Sequence, residues 1–79
     1  MASGSEMERA AKNMGNAWAW HQDKEHHKCP GETCDAQKSW TEAYNRYHDA
    51  EYVEAGSAAL KALQLLGKTE KDIHPSRQK

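Results

Sequence analysis

The chain contains very few of the residues that favour β-strands. Only Val53 and Ile73 are both β-branched and aliphatic, and phenylalanine is absent from the 79 residues. Strands favour such side chains, whereas alanine, glutamate, lysine and glutamine, which favour helices, recur throughout this sequence. The composition therefore predicts an all-α fold.

Two helical patterns flank a short break. In the first, over about residues 6–28, apolar side chains recur every three or four positions, as on one face of a helix. The second pattern covers about residues 35–66. Between them Pro30 and Gly31 fit a tight turn, so we expect an antiparallel helical hairpin with residues 29–34 at its apex.

The apolar stripe of the second helix is offset near its centre. Trp40, Tyr44 and Tyr47 form one stripe, and another begins five residues later at Tyr52. Either a single helix curves around its neighbour, or the chain bends within residues 48–51. Because that interval contains neither proline nor glycine, we predict one continuous helix.

Both ends of the chain are expected to lie outside the hairpin domain, which we place at residues 6–67. Residues 1–5 are interpreted as a disordered start or a remnant of cloning. Gly67 is well suited to end the second helix. In residues 68–79 we predict a capping box that starts at Thr69 and supports one short third helix, followed by a disordered tail.

Potential metal ligands crowd around the apex. If the first helix persists to Cys29, His26 lies three positions earlier on the same face, and the turn brings Cys34 back beside them. Zinc binds four sulfur and nitrogen ligands of this kind in a tetrahedron, and His27 is the remaining candidate. One interpretation of the apex is therefore a structural zinc site formed by His26, His27, Cys29 and Cys34.

The two cysteines allow two other states. A disulfide between Cys29 and Cys34 would close a short loop and fix the angle between the helices, with a stabilisation of about 2 kcal/mol. Alternatively, both are free thiols. Four residues separate them, unlike the CxxC pairs of most zinc ribbons, so the zinc site, the disulfide and the thiols all remain open at this point.

A broad aromatic and alanine-rich surface predicts self-association. One hairpin cannot bury such a surface alone, whereas two paired hairpins form a four-helix bundle. We therefore expect a homodimer or a different protein partner, with packing inside the core as the alternative role of the rings. The residues assigned to this interaction face are Trp18, Trp20, Trp40, Tyr44, Tyr47, Tyr52, Leu63 and Leu66.

Charge and motif content argue against other functions. Eleven basic and twelve acidic residues leave a formal net charge of −1, without the basic excess typical of nucleic-acid-binding domains. Residues 68–79 carry four basic and two acidic side chains, a net charge of +2, so a small nucleic-acid-binding or transcription-regulatory protein is the alternative. No phosphate-binding loop, nucleophile elbow or HExxH motif is present, and we expect no enzyme activity.

The sequence lacks membrane and export signals. No apolar run approaches the roughly 18–20 residues that span a bilayer, and the N-terminus does not have the pattern of a secretory signal. We therefore expect no membrane contact and a cytoplasmic location. Taken with the helical pattern, these features predict a small non-catalytic protein that acts through protein–protein interaction.

Overall fold

The fold is known from a computed structural model that describes residues 3–23 and 34–77. No strand occurs in these ranges, and the prediction of an all-α fold is confirmed. Three α-helices replace the two main helices that the sequence predicts. They are α1, Ser3–Gln22; α2, Asp35–His48; and α3, Tyr52–Leu65, and a short 3-10 helix follows at Pro75–Arg77.

The second predicted helix is divided in two, so the prediction of one continuous helix is wrong. α2 ends in a Schellman motif, in which the N–H of Glu51 donates to the carbonyl of Arg46 at 2.9 Å. The N–H of Ala50 donates to the carbonyl of Tyr47 at 3.0 Å. Ala50 has a φ angle of 62°, a left-handed conformation that glycine usually adopts. Because alanine and not glycine occupies this position, the residue at the break gives no sign of it.

The break brings the two offset apolar stripes into register. The rings of Tyr47 and Tyr52 meet beside it with centroids 5.1 Å apart, and farther along Ala43 packs with Ala58 and Ala59. Residues that come earlier in α2 thus contact residues that come later in α3, so these two helices are antiparallel. In a continuous helix the five-residue step from Tyr47 to Tyr52 would have rotated the second stripe away from the first.

α3 ends at the glycine that the sequence suggested. Gly67 has a φ angle of 77°, and the N–H of Lys68 donates to the carbonyl of Leu63 at 2.9 Å. The N–H of Gly67 donates to the carbonyl of Gln64, also at 2.9 Å. This is a second Schellman motif, here with the glycine that the left-handed conformation favours.

The core consists mainly of small side chains, which allow the three helices to approach closely. One layer contains Met14 of α1, Ala43 of α2, and Ala58 and Ala59 of α3. The half-buried ring of Trp40 packs against this layer and against the next one. That second layer contains Ala17, Trp20, Ala62 and Leu63.

The first helix differs from its prediction at both ends. α1 begins at Ser3, inside the segment 1–5 that was expected to be disordered, and Glu6 lies in its first turn, where a carboxylate stabilises the helix dipole. At the other end the helix stops at Gln22, and Asp23 lies outside it. The remaining part of the predicted helix, residues 24–28, lies outside the described residues.

The chain after α3 is ordered against α1. We call residues 68–74 the strap. Asp72 accepts hydrogen bonds from the N–H and the hydroxyl of Thr69, at 2.8 and 3.1 Å, so the predicted capping pair forms, but around a turn and not around a third helix. Residues 75–77, which were expected to be disordered, form the 3-10 helix and contact α1.

Candidate functional site

Most of the predicted metal ligands cannot be placed. His26, His27 and Cys29 lie outside the described residues, so the zinc site and the disulfide with Cys34 stay predictions. Among the residues that the structure does describe, no group of three or more histidine, cysteine or carboxylate side chains is arranged to hold a metal ion.

Cys34 contacts a histidine that was not among the predicted ligands. It is buried directly before α2, and its Sγ atom lies 3.5 Å from Nε2 of His21 in the last turn of α1. The imidazole of His21 also stacks on Trp18, with centroids 5.1 Å apart and an angle of 22° between the planes. Thirteen positions separate Cys34 from His21, so no helical or chelate spacing could have signalled this contact.

Aromatic rings form a continuous row across α1 and α2. Neighbouring centroids in this row are between 4.5 and 5.7 Å apart. The contact between Trp18 and Trp40 carries the row from one helix to the other. We call this feature the aromatic row, and it consists of His21, Trp18, Trp40, Tyr44 and His48.

A hydrogen bond to the backbone of α1 positions the row. The indole N–H of Trp40 donates to the carbonyl of Met14 at 2.9 Å, which fixes the ring at the junction of the two helices. Tyr44 and His48 follow at four-residue steps, and therefore extend the row along the same face of α2. The Tyr44 hydroxyl lies 3.2 Å from Nε2 of His48, and the Tyr44 side chain is 46% exposed.

α2 separates these rings from its charges. Its charged residues recur at three- and four-residue steps and are all exposed, so they share one face of the helix. Trp40 is two positions from the nearest of them on either side, which is about 200° around the helix axis. The row therefore has no formally charged α2 residue on its own face. The charged set is Asp35, Lys38, Glu42 and Arg46.

The structure divides the eight residues that were assigned to the interaction face. Trp20 and Leu63 are 7% and 0% exposed and lie in the core, so they do not form part of an exposed aromatic face. Trp20 is two positions from Trp18 in α1 and therefore points to the opposite side of that helix. Tyr44 is exposed. The half-buried members are Trp18, Trp40, Tyr47, Tyr52 and Leu66.

A hydrogen-bonded chain joins a carboxylate, an imidazole and a hydroxyl beside α1. Nε2 of His74 lies 2.8 Å from Oδ2 of Asp23, and Nδ1 lies 2.8 Å from the hydroxyl oxygen of Ser76. Carboxylate, imidazole and hydroxyl follow one another in the order found in a catalytic triad, in which the imidazole is the base that activates a serine nucleophile. However, the backbone N–H of Ser76 also donates to Nδ1, at 3.1 Å, so the lone pair that a base would need is already engaged. We interpret His74 as a cap of the 3-10 helix.

An ion pair between α1 and the strap strongly lowers the pKa of a strap carboxyl group. Arg9 and Asn13 donate hydrogen bonds to the carboxylate of Glu70. The bonds from Arg9 are the main cause that lowers the pKa of Glu70 from 4.5 to about 2, against an opposing effect of partial burial. Hydrogen bonds from Thr69 likewise hold the pKa of Asp72 below its usual value. Both strap carboxylates are therefore ionised at neutral pH.

Comparison with known proteins leaves the geometry as the basis for functional inference. No protein-family model matches the chain, and neither a curated protein nor a solved structure is significantly similar to it. None of the helices in the described part of the chain is long and apolar enough to cross a membrane. Any function must therefore be inferred from the residues of the chain itself.

Proposed function

We propose that the protein acts without catalysis, through contact with another protein, and that this partner is a second copy of the same chain. The interface in this proposal is the aromatic row on α1 and α2. Its centre is Tyr44, which is 46% exposed and lies between Trp40 and His48.

The observation that carries the proposal is the absence of formal charge on the α2 face that bears the row. In a twofold dimer each copy presents the same patch to the other. A patch with a net charge would therefore repel its own copy, and burying an unpaired charge would cost more still. On this face of α2, the rings can pair with those of a second copy without either penalty.

Two further features support the row as a contact surface. Tyrosine and tryptophan provide a large contact area at a small cost in side-chain entropy, and they are enriched at the centres of protein interfaces. On α1, Met7 and Ala11 lie eleven and seven positions before Trp18, on the same face, and both are exposed. The face of α1 that bears Trp18 therefore carries further exposed apolar side chains beyond the row itself.

Sedimentation velocity over a range of protein concentrations tests the proposal. We expect the wild type to form a concentration-dependent dimer. The variant Tyr44→Lys places a charge at the centre of the patch on both copies, and should raise the dimer dissociation constant by about tenfold or more, equivalent to at least about 1.4 kcal/mol.

Val53→Lys is the matched control, because Val53 is also exposed, at 56%, but lies on α3 outside the row. This variant should dimerise like the wild type. A wild type that stays monomeric at high micromolar concentration would refute the proposal. Equal weakening by the two lysine variants would also count against the row as the interface.

A further inference from the structure

A periodic set of side chains on α1 and at its C-terminal end holds the strap. Members of this set follow one another at alternating intervals of four and three residues, so the four within α1 lie on one face of the helix, and Asp23 follows directly after it. Each of them contacts the strap. We call the set the ladder, and it consists of Arg9, Asn13, Asn16, Trp20 and Asp23.

The centre of the ladder binds the main chain of the strap. Asn16 donates from Nδ2 to the carbonyl of Asp72 at 3.0 Å, and its Oδ1 accepts from the N–H of His74 at 2.8 Å. The indole N–H of Trp20 donates to the same carbonyl of Asp72 at 2.7 Å. These three hydrogen bonds are made to the main chain of residues 72–74, and none of them depends on the side chain that the strap carries at these positions.

The two ends of the ladder bind side chains. Arg9 holds both oxygens of the Glu70 carboxylate, with two hydrogen bonds of 2.8 Å each. Four positions later in the strap, the His74 ring has its Nε2 atom 2.8 Å from the carboxylate of Asp23 and packs its edge on Trp20. The ladder thus selects a carboxylate at one end and a nitrogen donor at the other.

Two buried amides show that this face is built around the strap. Asn13 and Asn16 are only 3% and 2% exposed. A buried polar group without a partner is destabilising, and alanine at the same positions would pack without that cost, as it does elsewhere in this core. The strap supplies the partners, since both polar atoms of Asn16 bond to its backbone.

The strap is held by an exposed ion pair at one end and a largely buried one at the other. It follows Gly67 and contains no helix, and the side chains of Arg9 and Glu70 are 62% and 40% exposed, whereas those of His74 and Asp23 are 14% and 16% exposed. Exposed ion pairs contribute little stability. Release of the strap would open a surface on α1 that lies opposite the aromatic row, because Trp18 is two positions from both Asn16 and Trp20.

We propose that the ladder is a binding site for a peptide segment of another protein, and that the strap occupies this site in cis. The segment carries a carboxylate residue and, four positions later, a residue with a side-chain N–H donor such as histidine. Its backbone between these residues binds to Asn16 and Trp20. The strap competes with the segment and so limits its access.

Fluorescence anisotropy with the full-length chain tests this proposal. The probe is a labelled synthetic peptide with the sequence of residues 68–77. The protein is either wild type or the double variant Glu70→Ala, His74→Ala, which weakens the strap but leaves the ladder intact. We expect the double variant to bind the peptide about tenfold more tightly than the wild type, because an attached strap has a high effective concentration.

Matched peptides test whether the binding is specific. A peptide with Glu70→Lys should bind the double variant about tenfold more weakly, since it removes the partner of Arg9. A scrambled peptide of the same composition should not bind. If the double variant loses its helical circular dichroism, the titration is made on the wild type by NMR, and the side-chain amide signals of Asn13 and Asn16 should shift.

Three results would overturn the proposal. The first is no saturable binding to a folded double variant. The second is equal binding of the native, Glu70→Lys and scrambled peptides. The third is a double variant that dimerises more tightly than the wild type and does not bind the peptide, which would instead indicate exchange of the region around the strap between copies.

Discussion

Ala50 and Gly67 occupy the same position in two successive Schellman motifs. Their φ angles are 62° and 77°, and each lies one residue beyond the C-cap of its helix. The left-handed conformation costs an L-residue about 1–2 kcal/mol and costs glycine almost nothing. One helix of this protein therefore ends at a favourable residue, and the other ends at a strained one.

We expect Ala50→Gly to raise the free energy of unfolding by up to about 1 kcal/mol. Relief of the left-handed strain exceeds the entropy that glycine adds to the unfolded chain. Gly67→Ala should lower the free energy of unfolding by about 1 kcal/mol, for the converse reason. Urea unfolding followed by circular dichroism measures both. Ala11→Gly in α1 is the control and should lower the free energy of unfolding by about 1 kcal/mol. An equal loss of stability in Ala50→Gly would contradict the left-handed conformation of Ala50.

The ion pair of Arg9 and Glu70 predicts a loss of stability in acid. The folded-state pKa of Glu70, about 2, lies below the ordinary value of 4.5. Its contribution to stability is therefore complete above pH 4.5 and is lost as the pH falls towards 2. The effect is smaller than the full pKa difference implies, because solvent screens a pair whose side chains are 62% and 40% exposed.

Urea unfolding from about pH 6 to about pH 2 measures this dependence. The variant Glu70→Gln should show a shallower loss of stability than the wild type over the same range. A residual slope is expected from Asp72, whose pKa is also lowered, by its hydrogen bonds from Thr69. Identical slopes in the variant and the wild type would show that Arg9 does not hold Glu70 in solution.

Leu63 should be among the most costly residues to truncate. It has no exposed surface and lies in the layer that joins α1 to α3. Leu63→Ala should therefore destabilise the fold by about 2–5 kcal/mol. Leu65→Ala, only two positions later but 46% exposed, is the matched control and should cost far less. Similar losses in the two variants would contradict the orientation of α3.

Gly56 lies inside α3 although no conformational need requires glycine there. A Cβ atom at this position would lie 3.9 Å from the Cα atom of Ala10, which is an ordinary van der Waals contact. Gly56→Ala should therefore stabilise the protein by about 1 kcal/mol through its helix propensity. Gly15→Ala should stabilise the protein by less, because the new Cβ atom would lie 2.6 Å from Nη2 of Arg77 and displace that side chain. Thermal unfolding of both variants tests this order.

Local signals account for the part of the fold that could be predicted. The helical class, the stop at Gly67 and the pairing of Thr69 with Asp72 all depend on residues within a few positions of one another. The break could not be predicted from Ala50 itself, because alanine normally favours a right-handed helix and here adopts a left-handed conformation. The five-residue step between Tyr47 and Tyr52 was the one sign of it.

The candidate sites were less predictable than the helices. The sequence selected some of the rings of the aromatic row, but it also placed Trp20 with them. An aromatic residue type alone does not reveal whether the side chain lies in the core or at the surface, and Trp20 lies in the core. The contact between Cys34 and His21 and that between His74 and Asp23 join residues that are thirteen and fifty-one positions apart. No short-range spacing could indicate either pair.

The sequence by itself determined that this chain is helical and that α3 stops before Gly67. Such properties follow from backbone propensity and from the period of apolar residues, both of which act over a few positions. Only the tertiary structure decided that there are three helices, that Trp20 is buried, and that the strap lies along α1. These outcomes depend on which distant groups can satisfy each other: the amide of Asn16 has its partners fifty-six and fifty-eight positions away.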